Sequence, residues 1–326
     1  MIPAFFFVRR QDRGRLRLTG RDRQTFLQGM VTNDVARLSP GEGCYAFLLD
    51  ATGHVLSDAR ILCAPDYLLL DVEPGMAAFV AETLDRYLIM EKCRITDVTG
   101  ETGQLFLGGR RAASVLHALG IGDTNGWTEG RNAVTGEGDD VLLVAATRLV
   151  PGAGFDAYGP PAVLDALVSR LAGSGAEEKN EPFLDALRIE AGVPRFGVDM
   201  DAKTLAPETG QEARAINYKK GCYVGQEIVA RIDARGRTNR TLAGFAFPSG
   251  AAVPARGTPV IGADGKEIGR VTSAALSPTL SQPIALGTVR REHASPGTPV
   301  VIAGGPAMVA ALPFVAPDGT NTLADA

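Results

Sequence analysis

The segment Lys219-Lys220-Gly221-Cys222-Tyr223-Val224-Gly225-Gln226-Glu227 sets one thiol beside two lysines, between two glycines, just ahead of a run able to open a helix. Cationic neighbours and a helix N-terminus both favour the thiolate, the form of cysteine that attacks or binds metal. In that chemistry Cys222 is the reacting group and Lys220 its activating charge. Gly221 and Gly225 let the backbone bend or come close to a bound molecule. The bland alternative is a tight turn with a packed thiol, because free cysteine often serves as a small buried hydrophobe.

A second place for chemistry is the helical run Phe183–Gly192, where Glu190 falls in the last turn. A carboxylate there opposes the helix dipole, at about 0.3–1 kcal/mol. One compensation is a ligand offering two adjacent N–H donors; the other is a partial surface ion pair with Arg195. Arg231, Arg235, Arg237 and Arg240 form a basic cluster after the cysteine segment. They could grip carboxylates, meet an acidic partner or simply stay solvated. Val150-Pro151-Gly152-Ala153-Gly154-Phe155 lacks the spacing of a dinucleotide loop and reads as a turn.

These groups sit in a chain of 326 residues, 45% hydrophobic and 21% charged, with net charge −4. Those values describe a globular chain of two or three domains and disfavour a duplex nucleic-acid binder. Cys44, Cys63, Cys93 and Cys222 match no zinc or cluster spacing, so no resident metal is expected. The first three read as core thiols, and free thiols suit a reducing cytoplasm. The apolar run Ile2–Val8 has its arginines on the wrong side for a secretory signal, and no stretch reaches the length of a membrane span.

Periodicity then supplies the elements that must position the chemistry. Strands are expected at 46–50, 55–64, 67–72, 93–98, 104–107 and 141–147, and helices near Phe26, over 74–90, 111–119, 160–172, 181–191 and 225–235. Asp22 is placed to cap the first helix. This alternation, with hairpins, argues for an α+β body over residues 1–240, built of two subdomains. From 241 to 316, dense glycine and proline between short apolar runs predict a small β-barrel. Residues 317–326 read as a polar, frayed tail.

The cysteine segment resembles K-G-C-Y-x-G-Q-E, a signature of the YgfZ-type folate-binding proteins, relatives of the glycine-cleavage T protein. Arg188-Ile189-Glu190-Ala191-Gly192 resembles the R-[LF]-E-A-G of the same superfamily. The resemblance implies a T-protein-like fold with tetrahydrofolate in a central channel, Glu190 on the pterin and Arg231 near the folate's glutamate. It also implies a role for Cys222 in assembling or repairing iron–sulfur clusters of client proteins. Gly53-His54-Val55-Leu56-Ser57-Asp58 is similar to the T-protein hairpin G-G-x-[LIV]-D-D, with serine at the first acidic position and only Asp58 remaining. Serine is no anionic partner or useful base near neutral pH. On that ground, and because a transferase needs no such thiol, the chain is expected to be a folate-dependent accessory protein rather than a transferase, with a monomer as the default. An aminomethyltransferase and a non-catalytic folate-sensing scaffold are the alternatives.

Overall fold

The computed structural model describes residues 2–10, 12–236 and 238–325. Arg237, one of the basic cluster, lies outside the described residues. The run Ile2–Val8 becomes the strand Phe6–Arg9, and its unbroken apolar character has a cause. Phe5 and Phe7 face one core, with Leu105, Val115 and Leu167, while Phe6 and Val8 face another, with Leu184 and Leu187. A strand covered on both faces needs no alternation.

That strand belongs to a six-stranded sheet ordered Glu177–Lys179, Phe6–Arg9, Gly103–Gly108, Gly154–Gly159, Leu142–Ala146, Asn132–Thr135. A second sheet has five strands, ordered Gly43–Leu49, Val55–Cys63, Tyr67–Val72, Gly14–Thr19, Arg94–Asp97. Its outer face packs Leu16, Leu18, Ala59, Ile61 and Leu70 on the helices Arg23–Gln28 and Ala77–Asp85. The first sheet's outer face is covered by Ala112–Ala118 and Pro161–Ala172. The inner faces meet through Leu62 and Leu69 from one sheet and Leu143, Ala145 and Tyr158 from the other. Side chains alternate across a strand, so the residues one step along from each core position point between the sheets.

From Arg240 onward six strands close into a barrel, Gly305–Ala310 pairing back onto Arg240–Ala246. The α+β body and C-terminal barrel read from the sequence are therefore present. The helix Glu181–Glu190 joins the two, its start capped by Asn180, whose Oδ1 accepts the Phe183 N–H at 3.0 Å. Its Ile189 packs against the barrel's outer face with Ile284, Leu286 and Phe314. Asp22, expected to cap Arg23–Gln28, instead accepts the Lys92 N–H at 2.7 Å and ties that helix's start to the next hairpin. The tail from 317 includes a helical turn at Thr322–Asp325, with the Thr322 hydroxyl donating to the carbonyl of Pro313 at 2.6 Å. Among the described residues no helix is long and apolar enough to cross a membrane.

Candidate active site

Polar side chains concentrate between the two sheets. Asp71 and Arg60 come from the five-stranded sheet, and Gln104, Asp156 and Tyr158 from the six-stranded one. Arg60 pairs with both Asp71 and Asp156, and Arg13 pairs with Asp71 and Glu73. Gln104 donates to Asp156 at 2.7 Å and the Tyr158 hydroxyl donates to Asp71, also at 2.7 Å. Burial alone would raise Asp71, but Arg13 and Arg60 hold its carboxyl well below the usual carboxylate range. Burial likewise works against Glu73, which Arg13 and Arg195 bring down to about 2.

Asp58 differs from these neighbours. It sits on Val55–Cys63, opposite Phe47, with its side chain on the inner face. Tyr45 donates its hydroxyl to Oδ2 at 2.7 Å, while Oδ1 is buried and has no hydrogen-bond partner. Burial pushes the Asp58 carboxyl up to about 6 and the Glu73 charge adds to this, against the pull of Tyr45, Arg13 and Arg214. A carboxylate with a free oxygen and a value near neutrality can accept a ligand's N–H and exchange a proton with it. Ser57, next along the strand, points the other way. Its hydroxyl donates to the backbone carbonyl of Asp58, and it shares its face with Ala59 and Ile61.

The recess holding Asp58 opens past Tyr45, Thr147 and Arg214 into a cavity of about 710 Å³, bordered by Trp127, Glu129 and Arg148. Arg148, Arg214 and Pro313 also border a further recess of about 340 Å³ reaching Gly210 and Leu242. The three recesses adjoin through these shared side chains, and Arg214 borders all of them. Thr124, on the wall of the widest, has a buried hydroxyl without a partner.

Of the residues singled out in the sequence, Asp58 lines these cavities, and so do Cys44, Arg195, the turn Val150–Phe155 and the Ala191-Gly192 pair that follows Glu190. Glu190 is fully buried, yet it is turned to the barrel. Ser277 donates its hydroxyl to Oε1, and Thr279 donates its backbone N–H to Oε1 and its hydroxyl to Oε2, each at 2.8 Å. The barrel thus supplies the donors that the helix end lacks, and Arg195 pairs with Glu73 instead. Arg231 is exposed and forms an ion pair with Glu227 one turn earlier on the helix Gln226–Arg235. Gly225 starts that helix at φ 82, where a Cβ would lie 2.5 Å from the Asp50 carbonyl, so its backbone is needed for packing. Gly221 is open to solvent, with nothing within 4 Å of a Cβ.

Lys220 has its own partners, away from the solvent side of the segment. Its Nζ reaches inward to the carbonyls of Gln28 and Val31 at 2.6 Å and Asn33 at 2.7 Å, while the Cys222 thiol is exposed. Burial pulls the Lys220 ammonium down to about 8, so it stays charged at neutral pH and pins the turn after the first helix. We expect Lys220→Met to destabilise the protein by about 2–4 kcal/mol, because three buried carbonyls lose a charged donor. Urea unfolding would read this; an unchanged midpoint would refute it. Sequence reasoning missed Tyr45, Arg60, Glu129, Asp156 and Arg214. Strand alternation around Asp58 could have placed Arg60 on the same face.

Residues 11–220 match the GCVT N-terminal domain, and residues 240–315 match the glycine cleavage T-protein C-terminal barrel domain. The chain belongs to the glycine-cleavage T-protein family. An aminomethyltransferase of Saccharopolyspora erythraea is 31% identical over 92% of this chain and 84% of its own length. A putative chloroplastic transferase of Arabidopsis thaliana is 27% identical over 89% of this chain, which spans 66% of that protein. The glycine cleavage system aminomethyltransferase T of Bartonella henselae, at 22% identity, superposes with a TM-score of 0.87 over 98% of this chain and 88% of its own, a likeness of fold.

The expectation of an accessory protein rather than a transferase is therefore corrected. T-protein relatives of this chain are aminomethyltransferases. The Ser57 argument also fails on geometry, because Ser57 lies on the face turned away from the recess that holds Asp58 and leaves Asp58 in place.

Proposed function

We propose that this T-protein family member binds tetrahydrofolate in the central channel and transfers a one-carbon unit to it, in the manner of an aminomethyltransferase. The observation carrying this reading is the unpartnered, buried Oδ1 of Asp58 in a recess that opens into a cavity of ligand size. The pterin edge offers adjacent N–H donors of the kind a carboxylate accepts. Asp156 is engaged by Arg60 and Gln104, so Asp58 has the free acceptor. Near its midpoint of about 6 it can take the proton that the folate amine loses as the new carbon–nitrogen bond forms and the carbon's bond to the carrier protein breaks, the carrier leaving with that electron pair. The wide part of the channel, with Trp127, Arg110 and Arg148, suits the aromatic and carboxylate-bearing remainder of the molecule.

Calorimetric titration with tetrahydrofolate, followed by a glycine-cleavage assay supplied with an aminomethyl-loaded carrier protein, tests the reading. Binding in the micromolar range with turnover supports it; no binding by the folded protein refutes it.

A second reading has its own observation. The K-G-C-Y-V-G-Q-E segment that resembles the YgfZ-type proteins presents Cys222 exposed, free and outside the channel. On this reading the folate-binding protein also serves iron–sulfur client proteins of a reducing cytoplasm through that thiol. Cys222→Ala is then expected to leave folate binding and transfer unchanged, yet fail to restore an iron–sulfur enzyme in cells lacking the gene. Full restoration by the variant would remove this reading and leave the first intact.

A further inference from the structure

Arg214 borders all three recesses, and Glu129 meets it on the wall of the widest. Arg214 donates through Nε to both oxygens of Glu129 at 2.8 Å and through Nη2 to Oε1. Its charge is matched by that carboxylate, with Gln211 taking Nη1 at 3.3 Å, which leaves its flat face as the part still to be used. That face lies over the Tyr45 ring, 3.9 Å from the centroid, where an arginine plane stacks well on an aromatic. Phe47 meets the ring at 74° with centroids 5.5 Å apart. The hydroxyl of the ring so held is the one that grips Asp58.

The surroundings fix both members. Arg214 lies on the single helical turn Glu212–Ala215, which is fastened to the Tyr45 strand by two side chains. Asn33 Nδ2 donates to the Arg214 carbonyl at 2.9 Å and to the Tyr45 carbonyl at 2.8 Å. Thr32 donates its hydroxyl to the Ala215 carbonyl and accepts the Phe47 N–H. Glu129 is held by its neighbour Gly130, whose N–H donates to Ala146 at 3.0 Å and where a Cβ would strike the Gly43 carbonyl at 2.3 Å.

We propose that Glu129 and Arg214 are positioning residues, a clamp that fixes the Tyr45 ring and thereby the orientation and proton affinity of Asp58. Its bearing on turnover rests on the one-carbon transfer reading, whereas the clamp itself does not. Tyr45 and Arg214 face Asp58 together with Arg13, Glu73, Arg60 and Arg195 from the elements around the same recess. Arg214→Lys keeps a positive charge and loses the stacking plane and the fork, so it separates positioning from simple electrostatics.

The test follows Asp58 by carbon NMR of the folate-free protein labelled at aspartate carboxyls, with Asp58→Asn for assignment. Arg214→Lys is expected to raise the Asp58 midpoint by about half a pH unit or more, as Tyr45→Phe does, because both lose the hydrogen bond that favours the carboxylate. The double variant is expected to shift no further than Tyr45→Phe alone. Glu129→Gln, whose side chain is partly solvated, supplies the same direction where Arg214→Lys fails to fold. A wild-type midpoint in both Glu129→Gln and Arg214→Lys would overturn the proposal, as would shifts that add to that of Tyr45→Phe. If wild-type protein binds no folate, the functional reading falls while the titration still judges the clamp. If it turns over, kcat is expected to drop at least about tenfold in Glu129→Gln with a smaller change in folate affinity.

Discussion

Asp58→Asn is expected to abolish one-carbon transfer while making the protein more stable near neutral pH. The folded-state value of the Asp58 carboxyl, about 6, stands above the ordinary 3.8, so the folded protein holds this proton more tightly than the unfolded chain does. Its stabilising contribution is complete below the unfolded value and is lost as pH rises through about 6. At about pH 7.5 the ionised group therefore destabilises the fold by roughly 2–3 kcal/mol. Asparagine cannot ionise, and its Oδ1 still accepts from Tyr45. Its amide takes the unpartnered place of the free oxygen at about 1–2 kcal/mol. A net gain of about 1 kcal/mol follows at neutral pH and turns into a loss of about 1–2 kcal/mol near pH 4, where the ionisation term is gone and the amide cost remains. Turnover should fall by about 100-fold or more with the loss of the group that takes the proton. Paired thermal unfolding at the two pH values and a transfer assay check this. A variant that is less stable at neutral pH would show that Asp58 is held for structure.

Arg60→Met should carry the largest stability loss. Among the described residues Arg60 is the one cation paired with both Asp71 and Asp156, one from each sheet; the two carboxylates are buried and Arg60 keeps only 11% of its side chain exposed. Removing it leaves Asp156 with no cation among its described partners and Asp71 with Arg13 alone. Uncompensated buried charge of this kind costs about 3–5 kcal/mol. Asp156→Asn in the same chain is expected to recover part of that loss, since it removes the charge whose partner has gone and keeps the acceptor for Gln104. Urea unfolding of the two variants gives the answer; equal stability of Arg60→Met and wild type would show that water solvates the gap between the sheets.

Much of the scaffold was legible and much of the site was not, for reasons that differ by residue. Helices 161–172, 181–190 and 226–235 carry apolar residues at helical spacing, and the barrel strands are marked off by glycine and proline, so local pattern suffices. The strand Gly154–Gly159 was hidden because Gly-Phe-Asp-Ala-Tyr-Gly points Asp156 and Tyr158 into a polar inter-sheet space and lacks an apolar alternation on that face. Lys220 looked like chemistry because it neighbours a thiol in sequence. A long side chain goes where its partners are, and here those are three carbonyls around the first helix. Tyr45, Glu129 and Arg214 stand alone in their own segments and meet only through tertiary folding, so spacing could not connect them.

The helix Glu181–Glu190 makes the barrel's outer face dependent on a stretch of chain far ahead of its first strand. Beyond Glu190, Arg188 reaches Ser273 directly and Asp199, whose carboxylate also accepts from Thr272 and Ser273. The transplantable piece of this protein therefore begins near Asn180, not at residue 240. A chimera spliced at the barrel's own edge would pair Ile284, Leu286 and Phe314 with a foreign helix, and the seam between donor and recipient would run through a fully buried cluster.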